Sequence, residues 1–301
     1  MTKRYGGVVV PMIAPIDEKG GIDIASTEKI INRFAACGVS PLLMGTTGEG
    51  NSFAPEQALT LVQAAVEAAQ KRITIYAGVN GCCVSEHIRM GNEFAHIGAD
   101  VIVATLPSYY ALTDEQMYTY YMTLADGLNK PLMLYNITST THQSIPLAIV
   151  ERLARHGNIV GIKDSERDAR RMEDFIHFTR ENRNFTYFCG WAAQSAHSLE
   201  LGADGIVPST ANYAPEMFAD LYWAVCKGDM TTANRLQQET DALARIYQAG
   251  RTLGQSLAAL KVMMGTENLC QPYMLPPLTR LGAKEEEEIR AQILKTSCSP
   301  D

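Results

Sequence analysis

The sequence predicts a (β/α)8 TIM barrel, of the α/β class, with a C-terminal helical extension. Three observations support this fold. Eight short apolar segments recur along the chain, longer segments with helical spacing separate them, and the apolar segments show no alternation with polar residues. Continuous apolar strands are typical of parallel sheets in which both faces are buried. Eight such strands, each followed by a helix, fit a closed barrel with the helices outside.

The predicted strands are rich in β-branched residues, which favour extended structure. In chain order they are GGVVVPMI, PLLMG, ITIYAGV, DVIVATLP, PLMLYN, NIVGIKD, FTYFCG and DGIVPS. The alternative fold is a doubly wound open sheet, which usually carries a glycine-rich phosphate-binding turn after its first strand. The corresponding segment here, PMIAPIDEKGG, lacks that pattern, so the barrel is favoured.

The segments between the strands carry apolar residues at the spacing of an amphipathic helix. Examples are ASTEKIINRFAAC, APEQALTLVQAAVEAAQ, SEHIRMGNEFAHIG and TDEQMYTYYMTLADGL. Two of them contain recognisable start signals. Pro55 takes an early helical position, and Thr113 precedes two acidic residues. We expect a helix to begin at each of these points.

The eighth strand is predicted to end near Val207 and its helix near Lys227. Residues 1–227 are therefore predicted to form the catalytic barrel, and residues 228–301 the helical extension. The predicted helices of the extension cover 229–250, 253–265 and about 283–296. The acidic run KEEEEIR is interpreted as a solvated first turn, because the helix dipole stabilises negative charge there. A metal site is the less favoured alternative.

Composition and charge exclude several classes of function. The 301 residues include 46% hydrophobic and 20% charged residues, as in globular proteins with a large core. A formal charge of −7 argues against nucleic acid or an anionic membrane as partner, because both favour a basic surface. The chain has no apolar run of the roughly 20 residues that span a bilayer. Its N-terminal segment lacks the long apolar region of a signal peptide.

The cysteines indicate a reducing compartment. There are seven, an odd number, and none form a CxxC pair. Cys82 and Cys83 are adjacent, which suits neither an ordinary disulfide nor a zinc site. We therefore expect free thiols and a cytoplasmic location.

Polar residues follow the predicted strands at their C-terminal ends, which converge on one mouth of a barrel. They lie in GTTGE (45–49), LPSYY (106–110), YN (135–136), GIKDS (161–165), CGW (189–191) and PSTAN (208–212). The six histidines are scattered, and no Ser/His/Asp arrangement is evident. We therefore expect no metal and no cofactor.

Lys163 ends an apolar run that reads as a buried strand. Burial can lower the pKa of a lysine from about 10.4 toward 7 or 8, which favours the neutral, nucleophilic amine. Such an amine attacks a ketone and forms an iminium, which stabilises a carbanion at the adjacent carbon. This is the chemistry of aldol addition and cleavage. The alternative is a structural ion pair between Lys163 and Asp164 or Glu166.

Other groups on the same rim suit this chemistry. The phenol of Tyr135 is a candidate proton shuttle. The glycine-flanked Thr46 and Thr47 offer N–H groups and hydroxyls that can hold a carboxylate. The alternatives are that GTTGE is only a tight turn and that Tyr109 and Tyr110 only pack. The shared position of these groups on one rim favours the functional interpretation.

The motifs GTTGEG, YN and GIKDS, at these separations, resemble the dihydrodipicolinate synthase / N-acetylneuraminate lyase family of class I aldolases. The likeness extends over nearly the whole chain, including VIVATLPSYY and LGADGIVPSTAN. It implies a barrel with a C-terminal helical extension and a lysine Schiff base with pyruvate or a similar 2-oxo acid. It also implies an aldehyde as second substrate and, usually, a homotetramer.

The resemblance also implies roles for individual residues. Lys163 matches the Schiff-base lysine, and Tyr135 matches the catalytic tyrosine. Thr46 and Thr47 match the pair that binds the 2-oxo acid carboxylate, and Thr46 also relays protons. Tyr109 matches a tyrosine that is lent across a subunit interface. The predicted substrate-binding residues are Thr47, Gly45, Gly48, Val207, Gly190 and Thr140.

Two departures from the family concern the second substrate. Dihydrodipicolinate synthases resemble YNVPSRTG, whose arginine grips the carboxylate of aspartate semialdehyde. Here the segment is YNITSTTHQ, with Thr140 in place of the arginine. Threonine cannot form that charged, bidentate contact, unless His142 or an arginine from elsewhere compensates. Sialic-acid lyases carry acidic residues where this chain has Ala192 and Ala193.

We therefore predict a class I lyase whose second substrate is an aldehyde without the carboxylate placement of aspartate semialdehyde. Candidate substrates are a 2-keto-3-deoxy sugar acid, a 4-hydroxy-2-oxo acid and an aromatic aldehyde. A dehydratase that uses the same iminium is a variant of this hypothesis. Two alternatives stay open, the dihydrodipicolinate synthase of lysine biosynthesis and a non-catalytic barrel that binds a 2-oxo acid.

Overall fold

The protein is described from a computed structural model, which places residues 3–297. Eight parallel strands form a closed barrel in sequence order, and β8 pairs with β1 to complete it. The strands are β1 Gly7–Pro11, β2 Ser40–Leu43, β3 Tyr76–Val79, β4 Val101–Thr105, β5 Leu132–Asn136, β6 Ile159–Asp164, β7 Thr186–Cys189 and β8 Gly205–Ile206. The predicted barrel is confirmed.

Helices follow the strands and surround the barrel. They are α1 Ile24–Cys37, α2 Pro55–Ala69, α3 Val84–Ile97, α4 Asp114–Gly127, α5 Thr138–Thr141, α6 Leu147–Leu153, α7 Ala169–Glu181, α8 Ser195–Leu201 and α9 Pro215–Cys226. Short 3-10 turns cover Gly50–Ser52, Ala192–Gln194 and Ser209–Asn212, directly after β2, β7 and β8. The irregular backbone therefore lies at the C-terminal ends of the strands.

Both predicted helix starts are confirmed. Helix α2 begins at Pro55, whose fixed φ suits the first helical position. Helix α4 begins after Thr113, whose hydroxyl accepts from the backbone N–H of Gln116 at 3.3 Å. The Gln116 side chain accepts in return from the backbone N–H of Thr113 at 2.9 Å. This reciprocal pair is a capping box.

Two apolar layers form the core, which explains why the strands read as continuous apolar runs. The layer inside the barrel contains Tyr5, Val9, Leu42, Tyr76, Val101, Val103, Met133, Tyr135, Ile137, Phe188 and Val207. The larger layer packs the outer strand faces against the helices and includes Phe34, Tyr121 and Phe175. Since both faces of each strand are covered, few polar positions are left except at the strand ends.

Three helices follow the barrel: α10 Met230–Gln248, α11 Leu253–Thr266 and α12 Ala283–Ser297. The acidic run begins α12, with Glu285 and Glu286 in its first turn. Helix α11 is buried continuously from Ser256 to Met264. The division into a barrel, 1–227, and an extension, 228–301, stays a prediction.

Two further predictions concern features outside the barrel. None of the helices in the described part of the chain is long and apolar enough to cross a bilayer. Cys37, Cys82, Cys83, Cys189, Cys226 and Cys270 are free thiols. The seventh cysteine, Cys298, lies outside the described residues.

Candidate active site

A cavity of about 680 Å³ opens at the C-terminal mouth of the barrel. Strand-end residues form its floor, and the end of α10 with the start of α11 forms one wall. Its lining consists of Pro11, Thr46, Thr47, Tyr135, Ile137, Thr138, Ser139, Lys163, Ser165, Arg167, Gly190, Val207, Ser209, Tyr247, Gln248, Arg251, Leu253, Ser256 and Leu257. Six of the predicted site residues therefore share this cavity: Lys163, Tyr135, Thr46, Thr47, Val207 and Gly190.

Lys163 is the only lysine in this lining, and its residue is 4% exposed. Its Nζ lies 3.7 Å from the centroid of the Tyr135 ring. Strand pairing fixes this contact, because Tyr135 and Lys163 are register partners in β5 and β6. A cation over the face of an aromatic ring is an attractive arrangement. The barrel thus holds the amine at a defined place on the cavity floor.

The alternative structural ion pair of Lys163 is not found among residues 3–297. Asp164 instead accepts from Nε of Arg171 at 2.6 Å, and Glu166 lies 3.4 Å from the same nitrogen. Both neighbouring carboxylates thus face a different cation. The amine of Lys163 is left without a carboxylate partner, as a nucleophile requires.

Tyr135 is buried, and its hydroxyl lies 3.5 Å from Oγ1 of Thr46. Burial by itself raises the pKa of a phenol. The charge of Lys163 opposes this effect, together with hydrogen bonds from Thr46, Lys163 and Ser165, and the pKa of Tyr135 falls below its usual value of 10.0. A phenol with a lowered pKa releases its proton more readily, which suits a proton shuttle.

The turn after β2 carries Thr46 and Thr47 and has an unusual backbone. Met44 and Glu49, one on each side of it, both have φ of 56°. Residues other than glycine rarely adopt this left-handed conformation, and such strain concentrates at functional sites. A Cβ at Gly48 would lie 2.7 Å from the carbonyl oxygen of Met12. Glycine is therefore needed there for the turn to approach β1.

Hydrogen bonding in this turn separates the N–H groups that shape it from those that can bind a ligand. The N–H of Gly48 donates to the carbonyl of Gly45 at 3.1 Å, and the N–H of Glu49 donates to that of Thr46 at 3.2 Å. In the described chain, the N–H groups of Thr46 and Thr47 have no such acceptor. Gly45 and Gly48 do not line the cavity. They shape the turn that presents the two threonines.

Glu49 anchors the turn through a fully buried ion pair with Lys261 of α11. The second oxygen of Glu49 accepts from the N–H of Leu275 at 2.8 Å. Lys261 also donates to the carbonyl of Tyr273 at 2.7 Å. Burial lowers the pKa of Lys261, and the charge of Glu49 opposes that effect. The C-terminal extension thus holds the threonine turn in place.

Asn136 joins the ends of β5 and β6 behind the reacting groups. Its side-chain nitrogen donates to Asp164 and to Glu166, each at 2.9 Å. Its oxygen accepts from the N–H of Ile145 at 3.1 Å. Ser144 donates to Glu166 at 2.6 Å. The second residue of the YN motif therefore fixes the loop after β5 to β6.

Gly190 lines the cavity at a position where a side chain would clash with its neighbours. A Cβ at this position would lie 2.3 Å from Oγ of Ser165 and 2.9 Å from the carbonyl oxygen of Asp164. Real Cβ atoms do not approach backbone oxygen so closely. The glycine thus leaves room for Ser165 beside Tyr135.

Four predicted site residues lie outside the cavity lining: the turn residues Gly45 and Gly48, and also Tyr109 and Thr140. Tyr109 is 79% exposed and forms an edge-to-face pair with Tyr110, at a centroid distance of 4.9 Å. The hydroxyl of Thr140 donates to the carbonyl of Ile137 at 3.3 Å. Its neighbours Thr138 and Ser139 line the cavity instead. Trp191, Ala192 and Ala193, which the sequence places after β7, are also absent from this lining.

Several lining residues carry no signal that the predicted site used. Ser165 and Arg167 follow Lys163 in the same loop, so their position at a strand end was a usable signal. Tyr247 and Gln248 end α10, and Arg251 lies in the link from α10 to α11. No local pattern reveals how these segments pass over the mouth. Throughout residues 3–297, no cluster of three or more His, Cys, Asp and Glu side chains is arranged to hold a metal ion.

The sequence model of the dihydrodipicolinate synthetase family matches residues 4–296. The chain belongs to this family. Members of the dihydrodipicolinate synthetase family are lyases, so the prediction of an enzyme of this kind is confirmed. The expected resemblance is confirmed as well, since the match covers nearly all of the described chain.

Named relatives divide between aldolases and synthases. One is a probable 2-dehydro-3-deoxy-D-pentonate aldolase, YjhH, of Escherichia coli, which is 29% identical over 98% of both chains. Another is the 4-hydroxy-tetrahydrodipicolinate synthase of Laribacter hongkongensis, 31% identical over 79% of this chain and 81% of the relative. The names of these two relatives thus describe different reactions.

Solved structures of the family share this fold. The dihydrodipicolinate synthase of Bacteroides thetaiotaomicron superposes with a TM-score of 0.92, at 26% identity, over 98% of this chain and all of the other. The chloride-inhibited dihydrodipicolinate synthase of Acinetobacter baumannii was solved in complex with pyruvate. It superposes with a TM-score of 0.89, at 27% identity, over 98% of this chain and 99% of the other.

Proposed function

We propose that this protein is a class I aldolase that forms a Schiff base between Lys163 and pyruvate or another 2-oxo acid. The observation that carries the proposal is the buried amine of Lys163, 3.7 Å from the Tyr135 ring and without a carboxylate partner in the described chain. It lies in one cavity with Thr46 and Thr47. The pyruvate complex of the Acinetobacter baumannii relative supports a 2-oxo acid as the first ligand.

In this proposal, the 2-oxo acid carboxylate binds at the turn after β2. The free N–H groups of Thr46 and Thr47 and the hydroxyl of Thr47 are its donors, as in other anion-binding turns. This placement puts the neighbouring ketone carbon near Lys163. The amine attacks that carbon, the ketone oxygen leaves as water, and an iminium forms.

Cleavage then follows from the iminium. A proton leaves the hydroxyl on C4, the C3–C4 bond breaks, and its electron pair moves into the iminium to give an enamine. The distal fragment departs as an aldehyde. C3 takes up a proton, and water releases pyruvate and the free amine. Tyr135 moves these protons, with Thr46 as its relay at 3.5 Å.

For the second substrate we propose the acyclic chain of a 2-dehydro-3-deoxy sugar acid. Thr138, Ser139, Ser165, Ser209 and Gln248, which carry hydroxyl or amide groups, also line the cavity. Such groups hydrogen-bond substrate hydroxyls. The relative YjhH, described as a probable aldolase of a pentonate of this class, matches over 98% of both chains. These observations favour sugar-acid cleavage over an aromatic aldehyde.

The alternative is 4-hydroxy-tetrahydrodipicolinate synthase. The relative from Laribacter hongkongensis, at 31% identity, favours it. Against it stands Thr140, where the synthases carry the arginine that grips aspartate semialdehyde. Condensation of pyruvate with aspartate semialdehyde therefore belongs in every substrate test of this protein.

We further propose a cytoplasmic homotetramer in which Tyr109 and Tyr110 are covered by another subunit. Their exposure, 79% and 67%, supports an interface, because paired aromatic side chains rarely stay open to water without one. The free cysteine thiols favour a reducing compartment. Sedimentation at micromolar concentration tests the assembly, and an active monomer would contradict it.

Borohydride reduction in the presence of pyruvate tests the Schiff base. We expect a single reduced pyruvyl adduct in the intact mass of the wild type. The adduct should be absent in Lys163→Ala and present in Lys227→Ala, which removes an exposed lysine directly after α9. A wild type without an adduct would refute the proposal.

A cleavage panel then tests the reaction. Pyruvate release is measured from 2-dehydro-3-deoxy-pentonate and 2-dehydro-3-deoxy-gluconate, beside condensation with aspartate semialdehyde. We expect the sugar acids to be cleaved. Aspartate semialdehyde should react at least about 10-fold more slowly, because Thr140 cannot make the charged contact of the synthase arginine. An adduct without turnover on any compound would instead support the non-catalytic barrel. Loss of water without pyruvate release would indicate the dehydratase.

A further inference from the structure

Two arginines, Arg167 and Arg251, line the candidate active-site cavity together with Lys163. Arg167 lies in the loop between β6 and α7, four residues after the reacting lysine. Arg251 lies between α10 and α11, on the wall that covers the mouth. The barrel and the C-terminal extension thus each supply one guanidinium group to the same cavity.

The charge of this cavity contrasts with that of the whole chain. The formal charge of the protein is −7. The lining, as far as residues 3–297 form it, contains three cationic side chains and neither aspartate nor glutamate. A concave site lined by one sign of charge attracts and orients ligands of the opposite sign. The cavity is therefore suited to a substrate with more than one negative group.

Neither arginine is neutralised by a neighbouring carboxylate. Arg167 has no hydrogen-bond or ion-pair partner within the described residues, and the adjacent Glu166 is bound to Asn136, Ser144 and Arg171. Its guanidinium is thus available to a ligand.

One N–H group of Arg251 donates to the carbonyl of Ile246 at 2.9 Å. Its Nε is buried and has no partner in the described chain. Nε is closed off from the cavity, so it cannot itself meet a ligand. The terminal N–H groups of Arg251, of which one is bound to Ile246, are those that can reach an anionic oxygen in the cavity that Arg251 lines.

We propose that Arg167 and Arg251 bind a terminal anionic group, carboxylate or phosphate, on the aldehyde end of the substrate. The inference rests on the proposed aldolase function, in which Lys163 and the threonine turn are occupied by the 2-oxo acid end. That end carries one negative charge, which leaves two guanidinium groups for a second one. Arginine binds carboxylate and phosphate with paired hydrogen bonds, which suits this role.

The proposal changes the expected substrate. Thr140 replaces the synthase arginine after β5, so the sequence alone predicts an aldehyde without the carboxylate placement of aspartate semialdehyde. The structure supplies cations from two other elements, on the loop after β6 and on the α10–α11 link. Within the proposed class of 2-dehydro-3-deoxy sugar acids, the preferred substrate is thus one with a second acidic group at its far end. Its aldehyde product is a short hydroxy-aldehyde with an acidic end.

Initial rates of condensation with pyruvate test the proposal with three aldehydes of matched length. These are glyceraldehyde, which is neutral, tartronate semialdehyde, which carries a carboxylate, and glyceraldehyde 3-phosphate. We expect kcat/KM for one of the two anionic aldehydes to exceed that for glyceraldehyde by about 10-fold or more. The better of the two identifies the anionic group. Equal or lower values for both would overturn the proposal.

Charge-removing variants locate the effect. Arg167→Gln and Arg251→Gln should each lower kcat/KM for the preferred anionic aldehyde by about 10-fold, and change the value for glyceraldehyde by less than about 3-fold. Arg170→Gln is the matched control, because Arg170 is exposed on α7 and outside the cavity. Arg251→Lys keeps the positive charge. It is the control for the case in which Arg251→Gln disturbs the fold of the α10–α11 link. Equal losses with neutral and anionic aldehydes would overturn the proposal.

A binding measurement separates this inference from the proposed function. Calorimetric titration with glycerate, glycerol 3-phosphate and glycerol requires no turnover. We expect one of the two anions to bind to the wild type and to Arg170→Gln, and to bind at least about 10-fold more weakly to the two cavity variants. If borohydride traps no adduct but the anion still binds, the proposed aldolase function is refuted and the arginine site is not. Trapping with no difference in anion binding between wild type and variants would refute the arginine site alone.

Discussion

The ammonium nitrogen of Lys163 lies 3.7 Å from the centroid of the Tyr135 ring, and the two residues are register partners in adjacent strands. This relationship couples the two groups electrostatically. The positive charge helps to lower the pKa of the buried phenol, and the ring face stabilises the cation. Because strand pairing fixes this contact, it does not depend on the conformation of the loops at the barrel mouth.

Tyr135→Phe separates the ring from its hydroxyl. The aromatic face under Lys163 is kept, so we expect reduced pyruvyl adduct to form as in the wild type. Turnover should fall by roughly 10²-fold, the usual value of a positioned acid–base group. Trapping and steady-state rates measure the two effects separately. Tyr118→Phe, on the outer side of α4, is the matched control, and wild-type turnover in Tyr135→Phe would remove the phenol from the mechanism.

Thr46→Val tests the relay to Tyr135. The hydrogen bond from Thr46 lowers the pKa of the phenol, so its removal should raise that pKa. NMR of the protein labelled at tyrosine Cζ follows this ionisation directly. Thr46→Ser keeps a hydroxyl at the same place and should restore both the pKa and most of the turnover. An unchanged pKa in Thr46→Val would show that the 3.5 Å contact carries no proton.

The comparison of sequence and structure shows which features are local. The eight strands could be predicted from their apolar runs, because a strand buried on both faces has an uninterrupted apolar sequence. Lys163 and Tyr135 were placed on one rim because the C-terminal ends of parallel strands converge. Arg251 could not be placed, because its position depends on how α10 and α11 pack over the mouth. The buried partner of Glu49, Lys261, is 212 residues away, beyond the reach of any local pattern.

The turn at Thr46 and Thr47 depends on the buried ion pair of Glu49 and Lys261. Lys261→Met removes the cation and leaves the fully buried side chain of Glu49 without that partner. We expect a loss of about 3–5 kcal/mol in unfolding free energy, the usual effect of breaking such a pair from one side. Urea unfolding at fixed protein concentration measures it.

The double variant Glu49→Gln/Lys261→Met distinguishes charge burial from lost packing. Without the buried carboxylate, it should recover part of the stability lost in Lys261→Met, because no uncompensated charge remains. The N–H of Leu275 still finds an amide oxygen at position 49. Equal destabilisation in the single and double variants would show that shape, and not charge, dominates at this contact.

His87 is a buried titratable group outside the active site. Its Nδ1 lies 3.0 Å from the hydroxyl of Tyr120, and that hydroxyl donates to the carbonyl of Thr105 at 2.8 Å. Tyr120 therefore accepts from His87, which places the proton on Nδ1 of a neutral ring. Nε2 is buried without a partner in the described chain. Burial disfavours the protonated ring of His87, and the backbone of Asn80 and the charge of Glu86 oppose this effect only in part.

This arrangement predicts a loss of stability in acid. Burial lowers the pKa of His87 below 6.5, so the unfolded chain binds more protons than the folded one once the pH falls through 6.5. Unfolding free energy should then decrease with pH by up to about 1.4 kcal/mol per unit, until the lowered folded pKa is reached. His87→Gln cannot titrate, and its amide can still donate to Tyr120. Urea unfolding midpoints at constant ionic strength compare the stability of the wild type with that of His87→Gln. The difference in favour of the wild type should become smaller as the pH falls from 7.5 to 5.5, about one unit on either side of the reference pKa. His177→Gln, at an exposed histidine, should show no such change, and a parallel decline of wild type and His87→Gln would mean that other groups cause the acid sensitivity.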